Sequence, residues 1–130
     1  MLIHRRLSLL LAAALLTTGC GHQDCRLIGL SVSPPGATAD HTAAAPGNQA
    51  QFFASAVVPD GCATTACVNC SGQTWTVSDP LNVSISNNAN DNGTATCLGT
   101  TNGAVTVTAT VPAAAGSKQT VTKTAMLTCR

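Results

Sequence analysis

Between Val105 and Val111 the side chains alternate without a break. Val105, Val107, Ala109 and Val111 are apolar, and Thr106, Thr108 and Thr110 carry hydroxyls. A period of two puts one kind on each face of a β-strand. Val and Thr also favour a pleated, half-buried surface. The same period recurs upstream. Ile28, Leu30 and Val32 alternate with Gly29, Ser31 and Ser33, and Phe52, Ala54, Ala56 and Val58 with Gln51, Phe53, Ser55 and Val57. Trp75 and Val77 are framed by Thr74, Thr76 and Ser78; Val83 and Ile85 by Asn82, Ser84 and Ser86. The last run places Val121, Ala125, Leu127 and Cys129 on one face, interrupted by Lys123. The Ala-rich pieces Ala43–Ala45 and Ala113–Ala115 are short and lie beside Pro46 and Pro112, so they make no helix. Turn residues separate the runs: Pro34-Pro35-Gly36, Pro46-Gly47-Asn48, Pro59-Asp60-Gly61, Asp79-Pro80, Asn92-Gly93 and Asn102-Gly103. Short strands so punctuated predict one all-β sandwich module.

The first twenty residues are of another kind. His4, Arg5 and Arg6 make a positive start, and Leu7 to Leu16 is apolar except for Ser8. That run is far shorter than the ~20 residues that span a bilayer, and it has the form of a secretory signal peptide. The junction Leu16-Thr17-Thr18-Gly19-Cys20 resembles a lipobox, where signal peptidase II cuts before a Cys that receives lipid. Gly19 and Cys20 fit; Thr17 stands where the motif usually has Leu, and Leu16 is one place further back. The expected organisation is a leader over 1–19, a lipidated Cys20 with a short tether over 20–24, and a domain over 25–130. The expected location is the cell envelope, as an outer-membrane or cell-surface lipoprotein.

With Cys20 lipidated, six cysteines remain: Cys25, Cys62, Cys67, Cys70, Cys97 and Cys129. An even number in a short exported chain reads as a three-bridge framework. The need for it is physical. Phe52, Phe53 and Trp75 are the only aromatics, and a domain with so little bulk to bury is marginal without staples.

Beyond Gly19, four cations (Arg26, Lys118, Lys123, Arg130) face five Asp and no Glu, a net charge of −1. A nearly neutral surface with no basic cluster and few aromatics offers nucleic acid neither field nor stacking platform.

From Leu27 to Thr128 the pattern resembles the bacterial immunoglobulin-like domain, group 2, of invasin- and intimin-type surface proteins. Pro46-Gly47-Asn48-Gln49-Ala50-Gln51-Phe52 looks like the start of its strand B. Trp75-Thr76-Val77-Ser78-Asp79, followed by Val83 and Ile85, looks like its central Trp motif, and Gly103 to Ala109 like its penultimate strand. The three cysteines between strands B and C, with Cys97 and Cys129, depart from that family. The resemblance implies an immunoglobulin-like β-sandwich of about seven antiparallel strands with Trp75 plugging its core. In that sandwich strand A starts near the loop between strands B and C, and strand G ends at the opposite pole. Cys97 would then pair with Cys129, and Cys25 with one of Cys62, Cys67 and Cys70, the other two joining each other.

Candidate chemistry is sparse. Cys67-Val68-Asn69-Cys70 has the spacing of a redox pair, but that chemistry belongs to a parallel sheet with helices, so a structural disulfide is expected. Zinc would need Cys62 and His41 as further ligands, at a spacing that suits it poorly. Asn88-Ala89-Asn90-Asp91-Asn92-Gly93 superficially resembles the start of a calcium loop, yet Gly99 stands where a bidentate Glu is required; a turn with positive φ at Asn92-Gly93 is expected. His22, His41 and the scattered Asp form no triad or carboxylate-pair motif. The reading is therefore a non-enzymatic envelope module with no cofactor and no metal, structural or adhesive, anchored through its N-terminal lipid and meeting an envelope protein or glycan. The alternative is a secreted ligand-binding or inhibitor domain acting through the Cys-rich loop Asp60–Ser71.

Overall fold

A computed structural model describes residues 27–62, 72–113 and 118–130. Among them nine strands form in chain order: β1 (Gly29–Ser33), β2 (Gly36–Ala39), β3 (Gln49–Gln51), β4 (Phe53–Val57), β5 (Thr74–Val77), β6 (Val83–Ile85), β7 (Thr94–Cys97), β8 (Val105–Pro112) and β9 (Thr120–Cys129). Among the described residues there is no helix. One layer holds the antiparallel pair β1–β4 and the antiparallel ladder β3–β7–β6, which adjoin because β3 runs on into β4. The other is β2–β9–β8–β5. The protein is a disulfide-stapled, immunoglobulin-like β-sandwich.

The expected seven strands become nine because two of them break, each for a local reason. Pro34 and Pro35 have no N–H to give a ladder. At that point the first strand leaves β4 and passes to the other layer, where the Pro35 carbonyl accepts from Met126 N–H at 3.0 Å. Beyond the prolines β2 runs parallel to β9, Gly36 opposite Met126 and Ala39 opposite Cys129, so antiparallel pairing fails at this one edge. The second strand breaks at Phe52, whose N–H donates to the Gly93 carbonyl at 2.9 Å instead of to a strand.

Alternation builds the core. Val105, Val107, Ala109 and Val111 of β8 point inward with Ala125, Leu127 and Cys129 of β9. Trp75, 2% exposed, meets the fully buried Phe52 with ring centroids 6.4 Å apart at 42°. A tilted pair of this kind adds about 0.5–1.5 kcal/mol beyond the apolar area it buries. Outside the same layer, threonines align across strands, Thr76–Thr108–Thr124 and Thr74–Thr110–Thr122. Each cross-strand pair contributes roughly 0.2–1 kcal/mol.

The first run departs from its expected pattern. Leu30 and Val32 are buried, but Ile28 is 56% exposed and Leu27 is buried in its place. Ile28 lies before the strand, where its N–H reaches the Val57 carbonyl at 2.9 Å and the pleat has not begun. Two strands escaped the periodicity altogether, β2 and β7, whose inward side chains are only Ala37, Ala39, Ala95 and Cys97.

The Cys97–Cys129 disulfide joins the end of β7 in one layer to the end of β9 in the other, with a Cα–Cα distance of 5.7 Å. It defines what we call the C-terminal pole. The N-terminal pole holds the start of β1, the end of β4, the start of β5 and the β8–β9 turn.

Candidate functional site

The N-terminal pole carries an open cleft of about 530 Å³, lined by Gly72, Gln73, Thr74, Asn87, Ala89 and Asn92. Its wall is built by the connection between β6 and β7. Asn87 turns its side chain to the free edge of β5, accepting from Trp75 N–H at 2.6 Å and donating to Trp75 C=O at 3.0 Å. Asn92 Oδ1 accepts the Trp75 indole N–H at 2.7 Å. The Asn92 carbonyl accepts from Gln51 Nε2 at 2.8 Å, and Gln51 Oε1 accepts from Thr94 Oγ1 at 2.5 Å. The connection is thus tied to both layers.

Gly93 makes the close approach possible. Its φ is +81°, and a Cβ there would strike the Phe52 carbonyl and the Trp75 ring. Asn92 does not share the positive φ expected of it, because glycines alone adopt positive φ among the described residues. The resulting turn is broader than a two-residue hairpin, closed by Gly93 N–H to the Ser86 carbonyl at 2.8 Å. The calcium-like segment is spent on this architecture: Asp91 Oδ1 accepts from Ser86 Oγ at 2.6 Å.

Among the described residues that line it, none titrates, and they offer amide and hydroxyl groups for hydrogen bonding. The Cys-rich loop departs from the same pole. Cys62 is disulfide-bonded. The expectations for Cys20, Cys25, Cys67 and Cys70, and for most of Asp60–Ser71, lie outside the described residues.

At the C-terminal pole His41 is a fastener. Its N–H and its Nδ1 both lie 2.9 Å from the Arg130 carbonyl. Cys62, bonded as a disulfide at the other pole, cannot join it around zinc, and no group of three metal-ligating side chains occurs among the described residues. Buried Thr101 donates to the Gly103 carbonyl at 2.8 Å, and its Oγ1 accepts from Cys129 N–H at 3.0 Å. Asp40 begins the turn after β2: Thr42 donates to it from side chain (2.7 Å) and backbone (2.9 Å), which holds its carboxyl below the ordinary range.

Sequence reasoning missed Asn87 and Thr101, and read Asn92 as a turn residue without its positioning role. For the two asparagines the only signal was the density of Asn between Asn82 and Asn92; Thr101 had none. Compared with known proteins, the chain matches no family model and no curated protein.

Proposed function

We propose that this is a non-enzymatic cell-envelope lipoprotein, a bacterial immunoglobulin-like module tethered through Cys20 that acts structurally or adhesively through its surface. The observation that carries the reading is the positive, then apolar leader ending in Gly19-Cys20, immediately ahead of a stapled sandwich. Disulfides persist in the oxidising compartments such a leader serves. The partner is an envelope protein or glycan; nucleic acid has no basic surface to meet.

A second reading is favoured by the amide-lined cleft, whose Gly72 and Gln73 follow the Cys-rich loop in the sequence. In it the protein is a secreted ligand-binding or inhibitor domain working through Asp60–Ser71, since loops on a rigid sandwich commonly carry binding.

Intact mass of the protein from the membrane fraction of an expressing bacterium, with and without reductant and alkylation, tests the anchor. Loss of Met1–Gly19, acyl groups on Cys20 and six alkylatable cysteines only after reduction are expected. A soluble, unacylated product would remove the anchor and leave the second reading. Loss of ligand capture after replacing Asp60–Ser71 by a short turn would support that second reading directly.

A further inference from the structure

We propose that, in the anchored protein, the N-terminal pole and the outer face of β1 and β4 rest against the lipid bilayer, with Ile28, Phe53 and Val57 as the contacts. The inference rests on the lipid anchor at Cys20 and adds an orientation to it.

The length of the tether limits how the domain can sit. Leu27 is buried in the core at the N-terminal pole, so the chain is fixed there. Only seven residue steps separate it from Cys20. Fully extended, at ~3.3–3.6 Å per residue, they reach about 25 Å. The ten residues of β9 run most of the way between the poles. At ~3.3 Å per residue that is roughly 33 Å. The tether is too short to run the height of the domain, so the C-terminal pole cannot turn to the membrane. The exposed Leu81 and Leu98 at that pole are therefore held away from lipid.

What remains is the N-terminal pole and one flank. The two flanks differ in chemistry. The outer face of β5, β8 and β9 carries the threonine rows, whose hydroxyls prefer water, and its one exposed large apolar side chain among the described residues, Met126, lies toward the C-terminal pole opposite Thr106. The outer face of β1 and β4 carries Phe53 (62% exposed) and Val57 (42%), with Ile28 (56%) at its pole end. Nothing on β1 covers them: Val57 lies opposite Gly29 and Phe53 opposite Ser33. A Cβ at Gly29 would already touch the Val57 Cβ, at 3.6 Å. Ser31, Ser33 and Ser55 share that face, so its apolar groups are Ile28 and Val57 where the tether starts and Phe53 one serine pair further up the flank. Among the described residues after β4, between β6 and β7 and around the β8–β9 turn, Asp60 and Asp91 are matched in number by Lys118 and Lys123. Apolar side chains beside a lipid anchor settle at the acyl–headgroup boundary.

The test uses the full chain in a bacterium, with p-benzoylphenylalanine replacing Phe53, Val57, Leu81 or Leu98 one at a time. Membranes are irradiated, and the fraction of protein gaining the mass of a phospholipid is measured. Positions 53 and 57 should give several-fold more lipid adduct than 81 and 98. Alkylation with and without reductant confirms that each variant keeps its disulfides. Equal or greater adduct at 81 or 98, or none at 53 and 57 in a chain whose mass shows acyl groups on Cys20, overturns the orientation alone. A mass without acyl groups overturns the anchor, and the orientation with it.

Discussion

Asn87 pairs with Trp75 as a neighbouring strand would, its Oδ1 accepting from the Trp75 N–H and its Nδ2 donating to the Trp75 carbonyl. Among the described residues β5 is the last strand of its sheet, and Trp75 lies opposite Ala109 with its N–H and carbonyl turned away from β8 to Asn87. An open edge is a template for another chain. One side chain closes it at the residue that also plugs the core.

Replacing Asn87 by Ala removes donor and acceptor together and reopens that edge. A loss of about 1–2 kcal/mol is expected, within the range for an orphaned backbone group that is partly wet. Urea denaturation measures it. Light scattering should register more self-association in Asn87→Ala than in the parent, because the freed groups seek a partner. An Asn87→Ala chain as stable and as monomeric as the parent would mean that water serves the edge equally well.

Gly93→Ala and Gly103→Ala separate backbone strain from collision. Both glycines have positive φ, +81° and +88°, which a Cβ disfavours. At Gly103 the new methyl meets open space, so only the conformational cost of about 1–2 kcal/mol applies. At Gly93 the methyl also strikes the Phe52 carbonyl and the Trp75 ring. That site should lose at least ~3 kcal/mol, or fail to fold, because the core itself must shift. Similar midpoints for the two variants in urea would show that the turn at Gly93 yields easily.

The difference between Val107 and Ala95 explains what could be read in advance. Val107 sits in a long Val/Thr alternation whose period admits one interpretation, and it is fully buried as expected. Ala95 is equally buried, but Thr94-Ala95-Thr96-Cys97 has too little apolar bulk to stand out beside the Asn/Gly turn before it. Pro34-Pro35 was legible as a break, though not as a passage between layers, since the choice of partner is made by β9, ninety residues away. The roles of Asn87 and Asn92 depend on where Trp75 comes to lie, which no local pattern encodes.

Asp40 makes the turn after β2 sensitive to acid. Hydrogen bonds from Thr42, side chain first and backbone second, lower its carboxyl below the usual value, and the His41 and Arg130 charges add to this. A carboxyl lowered by folding stabilises the native state above its ordinary value and loses that contribution as pH falls through its lowered one. The Thr42 amide shift should therefore titrate with its midpoint below the ordinary Asp value of about 3.9. Asp40→Asn should abolish that step. A transition at higher pH would place the carboxyl in a different environment.

Cys97 and Cys129 close the C-terminal pole with a buried bond. Each is 1% exposed, and their bond ties β7 to β9 across the sandwich over 32 residues of sequence. Closing a loop of that length removes freedom from the unfolded chain, and the typical gain is ~2–4 kcal/mol. The Cys97→Ser, Cys129→Ser double variant should be destabilised by about that amount or more, because two buried hydroxyls replace sulfur in an apolar setting. Its readout is the midpoint of urea unfolding under non-reducing conditions. Reductant alone, added to the native protein, should reach this bond only through unfolding, since neither sulfur is presented to solvent. Alkylation of Cys97 and Cys129 should therefore track the global unfolding rate and quicken in sub-denaturing urea. Alkylation at full speed in the absence of denaturant would show that the pole opens locally, with the two layers separating there first.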